Sequence, residues 1–141
     1  MKKIGIYNPY LMTKGGGEKV CLALAEALSR DKSSKVSFLT HDKVSLDELA
    51  EYFNLDLSRI EIVIIKHNRY ISYALHKLRI PGKLRGIIVD YQNLRAIRKM
   101  NYDLFINNCY QSGLPNAGKK GVYMCMFPQR LPKDSRGPQG K

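Results

Sequence analysis

Apolar positions along the chain fall into two patterns, short continuous runs and longer stretches with helical spacing. The helical stretches cover 17–28 and 45–53, and the second opens with a capping box in which Glu48 follows Ser45 by three residues. Five apolar runs bounded by polar turns predict buried strands: Ile4–Tyr7, Val36–Thr40, Ile60–Ile65, Tyr102–Asn107 and Gly121–Phe127. Alternation of strands and helices is typical of right-handed βα units. We therefore expect an α/β fold, Rossmann-like and in three αβα layers, with a mostly parallel sheet.

The stretch from Lys66 to Met100 is harder to interpret. Pro81-Gly82 divides it into two pieces, each with apolar residues at helical spacing, so two helices are expected. The run Ile87–Val89 leaves a strand open as an alternative. Nine of the 35 residues are Lys or Arg, and Asp90 is the single acidic one.

Charge is unevenly distributed between the two halves of the chain. Residues 1–65 hold 9 Lys/Arg and 9 Asp/Glu, whereas residues 66–141 hold 15 Lys/Arg and 3 Asp/Glu, so the second half carries all of the net charge of +12. Such asymmetry indicates an anionic partner. The basic residues that form the expected anionic-partner surface are Arg69, Lys77, Arg79, Lys83, Arg85, Arg95, Arg98 and Lys99.

Three interpretations of this basic surface stay open. The first is an ordinary solvated helix face. The second is docking to an anionic membrane, which the alternation of Ile, Leu and Tyr with Lys and Arg favours. The third, nucleic acid, is unfavoured because no RRM, KH or zinc-finger pattern is present.

A glycine-rich loop, Gly15-Gly16-Gly17, separates the first strand from the first helix. Glycines allow positive φ and let a ligand approach the backbone closely, and free amides at a helix start favour a phosphate or carboxylate. Glu18 suits the helix dipole but would repel an anion placed too near. The loop is neither a Walker sequence nor GxGxxG, so a plain connection between strand and helix is the alternative.

Polar residues follow several predicted strands, where an open parallel sheet has its ligand crevice. The expected rim contains His41, His67, Asn107, Asn108 and Ser112. The histidines lack metal-ligand spacing, so no metal is expected. No GxSxG, HExxH or paired-carboxylate motif is present, and the sequence names no catalytic residue.

The opening of the chain resembles family 4 glycosyltransferases, which have the two-domain GT-B architecture. The resemblance rests on a strand ending in Asn-Pro, on Gly16, Gly17 and Glu18, and on the Leu- and Ala-rich helix that ends at Leu28. Two later stretches are similar as well, Lys35–Thr40 and the "YD-apolar" strand Tyr102–Asn107. The family's histidine before an aromatic-Pro end has no counterpart, since Cys125-Met126-Phe127-Pro128 stands there.

The resemblance implies an acceptor-binding amino-terminal domain of a retaining hexosyltransferase. Residues 1–128 would be this domain and 129–141 a linker or disordered tail; the carboxy-terminal donor-binding domain would lie outside these 141 residues, in cis or in trans. Gly15–Gly17 and Glu18 would then approach the diphosphate of a UDP- or GDP-sugar, which the chain alone would not hold as a cofactor. The acceptor would be a glycan or lipid-linked sugar, and the isolated chain would be inactive.

The expected location is the cytoplasm, with peripheral attachment to the inner face of the membrane if the basic surface docks there. Three cysteines without metal-ligand spacing suggest reduced thiols. The amino terminus is too short and polar for a signal peptide, and no apolar run reaches the roughly 18 residues of a membrane span.

Overall fold

The computed structural model describes residues 1–66, 69–109 and 113–124, with the backbone alone at 69, 72 and 83. It contains five strands, four α-helices and a short 3-10 helix in these ranges. In chain order they are β1 (Lys2–Tyr7), the 3-10 helix (Leu11–Thr13), α1 (Gly16–Ser29), β2 (Ser34–Thr40), α2 (Leu46–Phe53), β3 (Ile60–Ile64), α3 (Arg69–Lys77), α4 (Gly82–Arg98), β4 (Leu104–Asn107) and β5 (Lys120–Tyr123).

The five strands form one parallel sheet in the order β3-β2-β1-β4-β5. This order is that of a Rossmann-like sheet, in which the chain runs outward on one side of β1 and returns to the other side at β4. The predicted α/β class and the Rossmann-like three-layer arrangement are confirmed. The topological switch point lies between β1 and β4, where Tyr7 pairs with Asn107 at the carboxyl ends.

Apolar side chains fill both faces of the sheet. On one face, Ile6 and Phe38 pack with Cys21 and Leu22 of α1 and with Leu49 of α2. The opposite core brings Leu94 and Ile97 of α4 against apolar side chains of the sheet and its loops, namely Tyr7, Leu39, Ile65, Tyr102 and Phe105. Alternate residues of each strand therefore serve different layers, and continuous apolar runs are needed because both faces are covered.

The core that contains Tyr102 explains why a glycine, Gly5, stands in the middle of β1. A Cβ on Gly5 would lie 2.9 Å from the ring of Tyr102, which is buried. The ring thus packs directly on the backbone of the central strand. The only residue type that fits there without displacing an aromatic core side chain is glycine.

Several details of the second half settle points that the sequence left open. The break at Pro81-Gly82 is confirmed, since α3 ends at Lys77 and α4 begins at Gly82. Residues 87–89 are helical, so the strand alternative is wrong; buried Asn93, Leu94 and Ile97 anchor the same helix to the sheet. β4 begins at Leu104 and β5 covers Lys120–Tyr123. The expected strand end at 125–127 and the expected tail at 129–141 lie outside the described residues.

Candidate functional site

The glycine loop lies at the carboxyl end of β1, beside the switch point. α1 begins at Gly16, and Gly15 is its N-cap in an extended conformation. None of the described glycines has positive φ, so the expected use of left-handed backbone is wrong. Beyond the adjoining helix backbone, a Cβ on Gly16 or Gly17 would meet no atom of the described residues within 4 Å. Neither backbone conformation nor packing requires glycine at these two positions, which leaves an open approach to the amides of the first helical turn.

Two charged side chains border this loop. Glu18 folds back so that its Oε2 accepts a hydrogen bond of 2.9 Å from the Gly15 amide. Lys14 adopts a left-handed conformation with φ of 53° and forms an ion pair with Glu48 of α2. Its ammonium group also lies 5.1 Å from the ring centroid of Tyr52. Through Glu48, α2 therefore holds Lys14 next to the glycines. The sequence did not reveal this ion pair because Lys14 and Glu48 are 34 residues apart.

Asn107 and Asn108 follow β4 on the other side of the switch point, and both are buried. The Asn107 amide donates to the Leu114 carbonyl at 3.0 Å and its Oδ1 accepts from the Cys109 amide at 3.0 Å. The Asn107 side chain therefore holds two points of the loop that follows β4, Cys109 and Leu114, by hydrogen bonds. Among the described residues, Asn108 Oδ1 has no hydrogen-bond partner.

The buried thiol of Cys21 in α1 lies next to the side chains of Asn108 and Asn8. Burial raises the pKa of Cys21 to about 11, and hydrogen bonds from the two asparagines oppose that rise. The thiol is therefore protonated at neutral pH, which fits the expectation of a reduced, structural cysteine.

His41 is fixed between two strands at the same edge of the sheet. Its Nδ1 lies 3.1 Å from the Ile65 carbonyl oxygen, and its Nε2 lies 3.0 Å from the Tyr7 hydroxyl. Burial raises the pKa of Tyr7 far above its usual value, with smaller effects from Cys109 and Asp90. Burial likewise raises the pKa of Asp90, and the charge of His41 opposes this. Tyr7 and Asp90 were not foreseen as site residues; the signal for Asp90 was its isolation among nine basic residues.

The remaining expected rim residues, His67 and Ser112, lie outside the described residues. Of those expected, His41, Asn107 and Asn108 stand at the carboxyl edge together with the glycine loop. Within the described part of the chain, no group of three His, Cys, Asp or Glu side chains is placed to hold a metal ion.

The basic surface has an apolar component that is larger than the sequence indicated. None of the described side chains of α3 is buried; Tyr70 is 86% exposed and Tyr73 69%. On α4, Ile87 and Tyr91 are each 65% exposed, and Leu84 is exposed next to them. Basic residues of the same two helices and their ends are exposed as well, namely Lys77, Arg79, Arg95, Arg98 and Lys99, while Arg85 is half-buried. The side chains of Arg69 and Lys83 lie outside the description.

Comparison of the chain with protein-family models, with curated proteins and with solved structures found no match. Within the described ranges, no helix combines the length and the apolar character that crossing a membrane requires.

Proposed function

We propose that this chain is the acceptor-side domain of a retaining, nucleotide-sugar-dependent glycosyltransferase. The observation that carries the proposal is the position of Gly16 and Gly17. They open a helix at the switch point of a parallel sheet, and their Cβ positions are free of side chains from the described residues, although neither packing nor φ demands glycine there. In sheets of this kind ligands bind at the switch point, outside the carboxyl ends of the strands.

The chemistry of the N-terminal turn of α1 suits a leaving diphosphate. The first-turn amides of α1 have no partners within the helix, and the positive end of its dipole favours negative charge. Preorganised amides of this kind stabilise charge that develops as a sugar leaves its nucleotide. Because Glu18 is bound to Gly15, its carboxylate is held back at the N-cap side of the turn. The sugar donor, a UDP- or GDP-sugar, would be held mainly by a separate donor-binding domain.

Turnover of the complete enzyme, with this domain joined to or mixed with its donor-binding domain, tests the proposal. Gly16→Val places a branched side chain where the diphosphate would lie, and we expect sugar transfer to slow by about tenfold to a hundredfold. Gly82→Val is the matched control, because Gly82 also opens a helix and also has no atom within 4 Å of its Cβ position. Equal turnover of both variants would contradict the proposed role of the loop.

A second proposal concerns attachment of the same domain to a membrane, and the exposed apolar side chains of α3 and α4 support it. Buried in an acyl boundary, such side chains contribute on the order of 1.5–3 kcal/mol each. A basic residue near an anionic leaflet adds on the order of 1 kcal/mol. We therefore propose that α3 and α4 lie on an anionic membrane as a peripheral surface, next to lipid-linked acceptors.

Vesicle sedimentation tests the membrane proposal. Wild-type chain is expected to bind vesicles that contain phosphatidylglycerol and to bind neutral vesicles weakly. The double variant Ile87→Ser/Tyr91→Ser is expected to bind at least about tenfold more weakly, because it removes apolar area without changing charge. Val20→Ser, an exposed apolar residue of α1, is the control. Binding of the double variant at wild-type strength, or tighter binding to double-stranded DNA than to vesicles, would contradict the proposal.

A further inference from the structure

A pocket of about 330 Å³ lies along the C-terminal turns of α4. The buried side chain of Leu94 forms one part of its lining, and a phenol and three cations form the rest, namely Tyr91, Arg95, Arg98 and Lys99. On a helix, residues three and four positions apart are neighbours on one face, with Cβ atoms about 5–6 Å apart. The phenol and the cations follow that spacing, so one face of α4 brings them to the same pocket.

The pocket holds three positive charges without a countercharge. Within the described ranges, the ion pairs involve none of its cations. Asp90, the one acidic residue of α4, is not among the lining residues, and Asp103 binds Lys119 instead. The helix dipole favours cations in the last turn, but cations three and four residues apart also repel one another. An anion bound among them would remove that repulsion.

The donors of the pocket favour a phosphate monoester over other anions. An arginine binds two oxygens of a phosphate at once, and a lysine adds a further donor and charge. A monoester carries about −1.5 to −2 charges near neutral pH and three acceptor oxygens, and a carboxylate or a phosphate diester has fewer of both. The volume lies at the lower end of the range of about 300–1,000 Å³ that is typical of small-molecule sites. A small phosphorylated group therefore suits the pocket in both charge and size.

We propose that this pocket binds the phosphate monoester headgroup of a membrane lipid. A lipid is the favoured source because Ile87 lies one turn before Tyr91 on the same helix, and both side chains are 65% exposed. Apolar side chains next to a phosphate site suit the boundary between headgroups and acyl chains. The inference rests on the proposed membrane attachment, and it adds a site of defined stereochemistry to a surface that otherwise attracts any anionic lipid.

Sedimentation with two kinds of vesicle separates the pocket from general attraction to negative charge. Phosphatidic acid has a monoester headgroup and phosphatidylglycerol a diester, and the two preparations are matched in zeta potential. Wild-type chain is expected to bind the phosphatidic acid vesicles about tenfold more tightly, the equivalent of one charge-assisted hydrogen bond. Arg95→Gln/Arg98→Gln should remove this preference. Lys77→Gln/Arg79→Gln, which neutralises two exposed basic residues outside the pocket, should weaken binding to both lipids alike and keep the preference.

Equal binding of the wild type to the two matched lipids, or loss of the preference in both double variants, overturns the proposal. If neither kind of vesicle is bound, the proposed membrane attachment fails, and a titration of the 15N-labelled chain with glycerol 3-phosphate then examines the pocket by itself. Saturable shifts of the Arg95–Lys99 amides that Arg95→Gln/Arg98→Gln abolishes would overturn only the lipid source and leave a site for a soluble phosphate monoester. Absence of such shifts would overturn the pocket as well, so the two failures are distinguishable.

Discussion

A methyl group at Gly5 would collide with the Tyr102 ring, whereas one at Gly17 would meet no side chain within 4 Å in the part of the chain that the structure describes. We expect Gly5→Ala to lower the free energy of unfolding by about 1–3 kcal/mol, because the core must shift to admit the extra atom. Gly17→Ala should leave it unchanged or raise it by up to about 1 kcal/mol, since alanine favours the helix. Urea unfolding measures both. A destabilised Gly17→Ala variant would show that this glycine serves the fold and not a ligand.

The lowered pKa of Asp103 predicts one component of the pH dependence of the free energy of unfolding. Its carboxylate binds the Lys119 ammonium at 2.7 Å and the Lys3 amide at 2.9 Å, and these bonds hold its pKa below the ordinary value of 3.8. Because the folded-state pKa is depressed, this stability is present above the ordinary value and is lost as the pH falls through the depressed one. Asp103→Asn should therefore be less stable than wild type at pH 7, and the difference in their free energies of unfolding should shrink as the pH falls. Urea midpoints from pH 7 to pH 3 measure it; a constant gap would contradict the assignment.

At the scale of elements, sequence patterns predicted the strands and the first two helices because local signals and burial agree there. The apolar run of β1 packs on both faces of the sheet, and Ser45 accepts a hydrogen bond from the Glu48 amide as the capping box requires. The pattern could not separate helix from strand at 87–89, since a short apolar run suits either. Nor could it show that the apolar residues of α3 stay exposed, because that depends on what the rest of the chain covers.

The low burial of α3 makes a prediction of its own. With no buried residue among its described side chains, α3 has little tertiary packing to support it, and most helical stability comes from such packing. We expect its amide hydrogens to exchange much faster than those of α1, whose Cys21, Leu22 and Ala25 are fully buried. Hydrogen exchange with and without anionic vesicles measures this. The vesicles should slow exchange in α3 and leave α1 unchanged; equal protection of both helices without vesicles would contradict the inference.

At the scale of the whole molecule, the sheet order brings together residues that are far apart in sequence. Asn108 after β4 lies next to Cys21 of α1 because β4 pairs with β1 and not with β3. The sequence predicted a parallel sheet and hence a shared rim, but strand order is a tertiary property that no local pattern states. The packing of α4 on the face of the sheet through Leu94 and Ile97 is likewise a tertiary contact that no local pattern states.

The measurement that tests the central claim most directly is a titration with UDP-glucose and GDP-mannose of the 15N-labelled chain joined to or mixed with its unlabelled donor-binding domain, followed amide by amide. The account predicts saturable shifts that are largest at Gly16, Gly17 and Glu18 for at least one of the two nucleotide sugars. It also predicts that Gly16→Val abolishes them. Shifts confined to the basic residues Arg95–Lys99 of α4 and its end, or no saturable shift at all, would contradict the claim that the glycine loop receives a diphosphate.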